Sequence, residues 1–233
     1  MTKPTTEAVS LVDGVVRAAG IDLWGAAAND PPLPLSPPLP TAISLAARID
    51  PRTLVKLVAG DPAPYRGEYA RLNTALDAAS ERLAAALRAA GHEALARPAT
   101  IYSDLPPSGD WLAAGVFPHK SAATRAGLGW IGKTALFISP ELGPKIRLAT
   151  VFSDIDLPCG VPVVEGRCGS CHACIDACPA GAGRNVTWAV GMARDELFDA
   201  AACERHLDAM DQTGHRTCGL CVAACPFGRA RSG

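Results

Sequence analysis

The residues best suited to chemistry in this 233-residue chain are its nine cysteines, all of which lie from Cys159 onward. A disulfide framework normally spreads its cysteines through a small secreted chain, whereas the first 158 residues here contain none. The clustering therefore predicts one local site that uses thiolates as metal ligands in a reducing compartment.

Four of these cysteines have the spacing Cx2Cx2Cx3CP, which is that of bacterial ferredoxins that bind 4Fe-4S clusters. They are Cys168, Cys171, Cys174 and Cys178, followed by Pro179. In two-cluster ferredoxins the first three cysteines of such a run hold one cluster, and the fourth is a ligand of the other cluster. A second run is therefore expected.

That second run is present in altered form, because Cys218, Cys221 and Cys225 precede Pro226 with the spacing Cx2Cx3CP, while the leading cysteine lies upstream at Cys203. Residues 204–217 thus form an insertion that splits the motif. Crossing the ligands between the two runs predicts two 4Fe-4S clusters. Cluster one would be held by Cys168, Cys171, Cys174 and Cys225, and cluster two by Cys178, Cys203, Cys218 and Cys221.

Structural zinc is the alternative, because CxxC pairs also occur in zinc knuckles. Zinc needs four ligands for each site but does not call for two Cx3CP segments, whereas a pair of clusters uses eight cysteines. Cys159 is then left over. We expect it to be a small buried residue near the first cluster, and a ninth ligand or a redox-active thiol are the alternatives.

Composition and charge restrict the class of protein. Lys and Arg number 22 against 23 Asp and Glu, so the net charge of −1 gives no electrostatic footprint for nucleic acid. The N-terminal sequence has no signal-peptide pattern, and no apolar run approaches the roughly 18 residues that span a bilayer. These features predict a soluble cytoplasmic protein with no membrane contact.

A glycine-rich segment matches two nucleotide-binding patterns, since residues 127–134 satisfy both GxxxxGK[ST] and GxGxxG. Each pattern needs a strand before it and a helix after it, so that the helix N-terminus faces phosphate. Here a helix is predicted before the segment and a strand after it, which indicates an accidental match. The glycines instead suggest a backbone lying against a planar cofactor, with Trp130 contacting a ring and Lys133 an acidic group. A tight connection buried under a hairpin is the alternative.

The elements that must position these residues follow from hydrophobic periodicity. Apolar positions three or four residues apart predict helices, and the longest carries an apolar stripe that we assign to the core. The connection at residues 140–144 is of the length that closes a hairpin between its flanking strands. Helices are predicted at 5–19, 51–58, 64–90 and 120–126, and strands at 42–49, 94–102, 134–139 and 145–152.

The segment FPHKSAATRAGLGWIGKTALFISPELGP, followed by the split ferredoxin cysteines, resembles epoxyqueuosine reductase and its shorter relatives over roughly residues 65–227. The resemblance implies an α+β fold: a nitroreductase-like mixed sheet-and-helix cofactor domain at 1–157, of the kind shared with reductive dehalogenases, and a small two-cluster ferredoxin-like domain at 158–233. It also implies cobalamin carried over the sheet. Flavin is the alternative organic cofactor.

The resemblance implies site residues in and before the glycine segment. Family members have a proton-donating Asp ahead of this segment, but counting back without gaps from Ala126 reaches Ala113. The nearest acids are Asp110 and Asp104, so Asp110 and His119 are the candidate catalytic residues, with a structural role as the alternative for His119. The residues expected to line the cofactor site are His119, Lys120, Gly127, Gly129, Trp130, Gly132 and Lys133.

The sequence therefore predicts a reductase in which an external donor, such as ferredoxin or flavodoxin, supplies electrons through two clusters to a bound cofactor. Its substrate would be a small molecule or a corrinoid. Family members continue into helical repeats that help to grip transfer RNA, whereas this chain ends at Gly233, which with the neutral charge makes a transfer RNA substrate doubtful. Epoxyqueuosine reduction and a non-catalytic electron-transfer partner are the alternatives.

Overall fold

The structure is a computed structural model that describes residues 6–29, 39–99, 118–211 and 217–228. The helices are α1 (Thr6–Ala18), α2 (Pro51–Val58), α3 (Ala63–Ala89), α4 (His119–Arg125), α5 (Ala173–Asp176), α6 (Arg194–Leu197), α7 (Ala200–Asp211) and α8 (Leu220–Ala224). The strands are β1 (Leu23–Ala28), β2 (Thr41–Arg48), β3 (Ala94–Arg97), β4 (Trp130–Ile131), β5 (Phe137–Ile138) and β6 (Ile146–Ser153).

The chain forms two compact units that alternate along the sequence. The first contains the described residues of Met1–Arg48, Arg71–Leu128 and Arg147–Pro162. The second contains those of Ile49–Ala70, Gly129–Ile146 and Val163–Gly233, so helix α3 divides between the units after Ala70. The functional division at 157/158 into a cofactor domain and a cluster domain stays a prediction.

The first unit is built on a four-stranded sheet in the order β1-β2-β6-β3. β1 is antiparallel to β2, and β3 is antiparallel to β6. The interior strand β2 is buried along its length except at Arg48, because its apolar and small residues are covered on both faces. The expected mixed α+β class, with an antiparallel sheet, is confirmed, and the nitroreductase-like detail stays a prediction.

The core of this unit lies between the sheet and its helices. The apolar stripe of α3 is buried as predicted, including Leu72, Leu76, Leu83 and Leu87. The short helix α4 contacts β1 and β2. None of the helices within the described residues has the length and apolar character needed to cross a membrane.

The predicted hairpin is wrong: only Phe137–Ile138 of its first strand is a strand, whereas its second strand corresponds to Ile146–Ser153. β5 pairs with β4 through Trp130↔Ile138 and Ile131↔Phe137, and β6 instead joins the four-stranded sheet. The physical reason is a tight turn directly after β5, where Ser139 and Gly143 exchange two backbone hydrogen bonds of 3.0 and 2.8 Å. Strand β1 was not predicted, because its sequence LWGAAA has no clear alternation of apolar and polar residues.

The second unit contains the hairpin β4–β5 and a set of short helices. Helix α8 contacts both α2 and α5, which brings segments separated in sequence together. A buried cluster forms around Trp130, Ile138 and Cys225, with Val163, Cys168 and Phe227 packed against it. Cysteines are therefore part of the core of this unit.

Candidate metal centre

All eight cysteines of the two ferredoxin-like runs belong to the second unit. Cys174 lies in α5, Cys203 in α7 and Cys221 in α8, while Cys225 immediately follows α8. The contact between α5 and α8 brings the first run of cysteines next to the second. The insertion that splits the second run is partly helical, since α7 contains Cys203 and continues beyond it to Asp211.

Glycines permit the tight turns between the cysteines. Gly169, directly after Cys168, has a φ of +55°, and the amide of Cys171 then donates to the carbonyl oxygen of Cys168 over 3.1 Å. Gly219, directly after Cys218, has a φ of +86° and is the N-cap residue immediately before α8. A Cβ at Gly219 would lie 2.5 Å from the ring of Tyr65, so both the turn and the packing require glycine.

The thiols interact electrostatically in two groups, the first of which contains Cys168, Cys171, Cys174 and Cys225. Burial is the main cause that raises the pKa of the Cys174 thiol, and the nearby Cys168 and Cys171 raise it further. Burial also raises the pKa of Cys225, with smaller contributions from Cys174 and Cys168, while the backbone amide of Phe227 and the charge of Lys145 oppose the increase. This is the set expected for cluster one.

The second group contains Cys178, Cys203, Cys218 and Cys221. Burial raises the pKa of Cys221 to about 12, and Cys218, Cys178, Cys174 and Cys203 add to the effect. Burial also raises the pKa of Cys203, followed by the influence of Cys178 and Cys218. These four thiols are the set expected for cluster two, and Cys174 of the first group also acts on Cys221. Within the described residues, no three His, Cys, Asp or Glu side chains are arranged to hold a single metal ion.

The hairpin β4–β5 contacts the first group through two side-chain donors. The indole Nε1 of Trp130 donates to the sulfur of Cys168 over 3.4 Å. Trp130 is 2% exposed and packs edge-to-face on Phe227, with ring centroids 5.0 Å apart. A side-chain hydrogen bond from Thr134 acts to lower the pKa of Cys174. The hairpin therefore interacts with cysteines of the first group, and the expected contact with a planar organic cofactor stays a prediction.

Lys133 lies in the turn of the same hairpin and is 5% exposed. Its Nζ donates to Oδ1 of Asn185 over 2.9 Å, and Asn185 has a φ of +58°, which asparagine adopts more readily than most residues. Lys133 therefore binds the loop that follows the first cysteine run. No sequence signal pointed to Asn185, because its partner is 52 positions away.

Helix α4 precedes residues 127–134 and strand β5 follows them, as predicted, whereas strand β4 lies within them and was not predicted. In the described chain no helix begins at Lys133 or Thr134, so the segment lacks the strand–loop–helix context of a phosphate-binding loop. The segment instead forms the first strand and the turn of a β-hairpin. Ala135, with a φ of +57°, closes that turn by donating from its amide to the carbonyl of Gly132 over 2.9 Å.

The three glycines of the segment have packing roles. A Cβ at Gly129 would lie 2.0 Å from the carbonyl oxygen of Ile138, and a Cβ at Gly132 would lie 2.4 Å from the Ile138 side chain. Gly127 has a φ of +74° and belongs to the first unit, where a Cβ would meet the carbonyl oxygen of Val161 at 2.8 Å. The close approach of Ile138 accounts for Gly129 and Gly132, and their contact with a cofactor stays a prediction.

Lys145 is a site residue that sequence reasoning missed. It is 6% exposed, and its Nζ donates to the carbonyl oxygens of Cys225, over 3.0 Å, and Phe227, over 2.5 Å. It also lines a pocket of about 380 Å³ with Pro51 and Ala223. A lysine beside Pro144 at the start of a strand carries no signal for this role, because its partners are 80 and 82 positions away.

His119 begins α4 in the first unit, and both of its ring nitrogens have protein partners. Nε2 lies 2.8 Å from the carbonyl oxygen of Pro98, so it carries the proton, and Nδ1 accepts from the hydroxyl of Thr150 over 2.8 Å. Burial lowers the pKa of His119 and keeps the ring neutral. This arrangement favours the structural alternative for His119. Lys120, the next residue of α4, is half-buried.

Cys159 differs from the expectation of a buried residue, because it is exposed and belongs to the first unit. It forms a single bridge with β1 opposite Ala26. Although the residue is exposed, partial desolvation of the thiol and the charge of Asp156 raise its pKa, which disfavours a reactive thiolate. Asp104, Asp110 and Ala113 lie outside the described residues.

Comparison with known proteins confirms the resemblance inferred from the sequence. The epoxyqueuosine reductase of Bacillus anthracis is 30% identical over 123 residues, which are 48% of this chain and 30% of the relative. The chain thus spans less than a third of the length of the curated relatives it matches first. No family model matches the chain.

Two solved structures share the fold. The catabolic reductive dehalogenase NpRdhA aligns with a TM-score of 0.71 at 19% identity, covering 94% of this chain and 31% of that protein. The epoxyqueuosine reductase from Streptococcus thermophilus aligns with a TM-score of 0.58 at 18% identity, covering 94% of this chain and 65% of that protein. The chain is therefore similar to reductases in sequence and fold.

Proposed function

We propose that this chain is an iron–sulfur reductase that binds two 4Fe-4S clusters. Cluster one is held by Cys168, Cys171, Cys174 and Cys225, and cluster two by Cys178, Cys203, Cys218 and Cys221. The observation that carries the proposal is the contact between α5 and α8, which brings the two cysteine runs of the ferredoxin spacing together. Similarity to epoxyqueuosine reductases supports the reductase activity.

The ligand set fits this role. Eight soft sulfur ligands suit iron–sulfur clusters, and the raised pKa values of the buried thiols mean that ligation releases protons. When bound, the two clusters would supply single electrons to the cofactor that reduces the substrate. The protein positions the thiols through the contact of α5 with α8, and it excludes water from Cys225 by packing Trp130 and Phe227 around it.

We further propose a corrinoid as the organic cofactor, held by the unit that contains the four-stranded sheet, with flavin as the alternative. A solved reductive dehalogenase structure that aligns with a TM-score of 0.70 at 18% identity is described as suggesting a mechanism for B12-dependent dehalogenation. The polar groups of Trp130 and Lys133, which the sequence assigned to the corrinoid wall, contact Cys168 and Asn185. No chemical step through the corrinoid follows from these residues.

Epoxyqueuosine in transfer RNA is the substrate that we propose first. The curated relatives carry the name epoxyqueuosine reductase, and one solved neighbour is such an enzyme with an epoxyqueuosine-modified transfer RNA stem loop. A net charge of −1 describes the whole chain and leaves room for a local contact with RNA. The electron donor would be a ferredoxin or flavodoxin in the cytoplasm, where thiols stay reduced.

The proposal is tested by anaerobic purification and cluster reconstitution, followed by iron and sulfide analysis, electron paramagnetic resonance (EPR) and mass spectrometry of extracted cofactors. About eight iron atoms per chain and a bound corrinoid are expected. Zinc in place of iron would overturn the cluster assignment. Cluster-loaded protein that can be saturated with neither corrinoid nor flavin would overturn the reductase proposal and favour an electron-transfer partner.

The substrate is tested separately with the reconstituted protein, a chemical reductant and transfer RNA that contains epoxyqueuosine. We expect conversion of epoxyqueuosine to queuosine, which mass spectrometry of the digested RNA detects. If the protein contains both clusters and corrinoid but leaves the epoxide intact, epoxyqueuosine is the wrong substrate. Complementation of a queuosine-deficient strain provides an independent measurement of the same activity.

A further inference from the structure

The hairpin β4–β5, which resembles a nucleotide-binding loop in sequence, directs two hydrogen-bond donors at cysteine sulfurs. Trp130 Nε1 donates to the Cys168 sulfur over 3.4 Å, and a side-chain hydrogen bond from Thr134 acts to lower the pKa of Cys174. Both cysteines belong to the set proposed for cluster one. Trp130 and Thr134 are 2% and 6% exposed, so water does not compete effectively for either donor.

We propose that Trp130 and Thr134 set the reduction potential of cluster one by donating hydrogen bonds to its cysteine sulfurs. The inference rests on the proposed function, because it requires a cluster on Cys168, Cys171, Cys174 and Cys225. Hydrogen bonds to the sulfurs are among the features that set the potential of an iron–sulfur cluster. They are stronger when the acceptor is more negative, so they stabilise the reduced state more than the oxidised state.

The backbone of the hairpin is shaped to hold these donors in place. Gly129 lets the strand approach Ile138 more closely than any side chain would permit, which fixes the position of the neighbouring Trp130. The turn that follows is closed by the hydrogen bond from Ala135 to Gly132, and it contains Thr134. Trp130 is also held by its edge-to-face contact with Phe227.

Two donor deletions test the proposal in the reconstituted, cluster-loaded protein. Trp130→Phe keeps an aromatic ring beside Phe227 but removes the N–H group, and Thr134→Val keeps the side-chain shape but removes the hydroxyl. Midpoint potentials are measured by an EPR-monitored redox titration with dithionite and mediators. At a fixed applied potential, each deletion should lower the ratio of reduced to oxidised cluster about tenfold. For a one-electron couple this corresponds to a midpoint potential that is lower by about 59 mV.

Three controls separate hydrogen bonding from packing. Thr134→Ser restores a hydroxyl and should recover most of the wild-type potential. Phe227→Leu removes the ring that packs on Trp130 but keeps both donors, and it should shift the potential less than either deletion. The second cluster is an internal reference, because only one of the two midpoint potentials should move.

The inference is overturned if Trp130→Phe and Thr134→Val contain full iron but keep both midpoint potentials, or if Thr134→Ser shifts the potential as much as Thr134→Val. If Trp130→Phe does not retain the cluster, the comparison of Thr134→Val with Thr134→Ser tests the inference. A wild-type protein that binds no cluster overturns the proposed function, and the inference with it. Clusters with unchanged potentials overturn the inference alone.

Discussion

The ammonium group of Lys145 donates to the carbonyl oxygen of Cys225 over 3.0 Å, and the lysine also contacts the carbonyl oxygen of Phe227. A lysine is rarely buried to this extent, and it is stable there because charge-assisted hydrogen bonds replace its hydration. Its two acceptors belong to the segment that carries a proposed ligand of cluster one. Lys145 therefore fixes the backbone that positions the Cys225 thiol.

Lys145→Met should destabilise the protein by about 2–3 kcal/mol, because it leaves one buried and one part-buried carbonyl oxygen without their charged donor. The Cys225 segment should become less well fixed, so cluster one should lose iron faster when a chelator is added. Anaerobic thermal unfolding and the rate of iron release measure the two effects. Lys56→Met is the matched control, since Lys56 is exposed on α2 and its loss should change stability by less than about 0.5 kcal/mol. Equal effects of the two substitutions would contradict the role of Lys145.

Gly129 should tolerate no side chain. Gly129→Ala places a Cβ 2.0 Å from the carbonyl oxygen of Ile138, so the hairpin must open and should release the cluster. Gly67→Ala is the opposite case, because Gly67 lies within α3 and a Cβ there has no neighbour within 4 Å. The second substitution should raise stability by about 0.5–1 kcal/mol. Thermal unfolding and iron content of the two variants check the prediction, and a fully loaded, stable Gly129→Ala protein would contradict it.

What could be predicted from sequence depended on how local each signal was. The spacing of Cys168, Cys171 and Cys174 identified a metal site because ferredoxin ligands are close together in the chain. The helices α2 and α3 followed from proline at a first turn and from apolar periodicity. These signals need only a few neighbouring residues.

The role of the glycine segment could not be predicted, because it depends on partners far away in sequence. Trp130 contacts Cys168, 38 positions further on, and Lys133 contacts Asn185. His119 similarly finds its partners 21 and 31 positions away, at Pro98 and Thr150. The same residue types could equally have faced a cofactor. Only tertiary packing distinguishes the two possibilities.

The split second motif leads to a prediction about iron content. Cys203→Ala should prevent assembly of cluster two and leave about four iron atoms per chain in cluster one. Cys159→Ala should keep about eight, because Cys159 is exposed in the first unit and is not among the proposed ligands. Iron analysis together with EPR of the reduced proteins distinguishes the variants. A Cys159→Ala protein that loses a cluster would show that the ligand assignment is wrong.

His119 should make the first unit sensitive to acid. Burial lowers its pKa below the ordinary value of 6.5, while the unfolded chain keeps that ordinary value. The unfolded state therefore binds a proton more readily, so the free energy of unfolding is unaffected above about pH 6.5 and falls as the pH decreases towards the folded pKa. Protonation would also remove the acceptor that Nδ1 offers to Thr150.

The test is urea unfolding of the His119→Gln protein between about pH 5 and pH 8, the range in which an ordinary histidine titrates. Glutamine can donate to Pro98 and accept from Thr150 without titrating, so this variant should lose the part of the acid-side decrease that His119 causes. His92→Gln is the matched control, because His92 lies 3.1 Å from Asp154 in the same unit and is not enclosed as His119 is. The His92→Gln protein should keep the part of the acid-side decrease in stability that His119 causes. If His119→Gln shows the same pH dependence as the wild type, the buried neutral ring is not the source of the acid sensitivity.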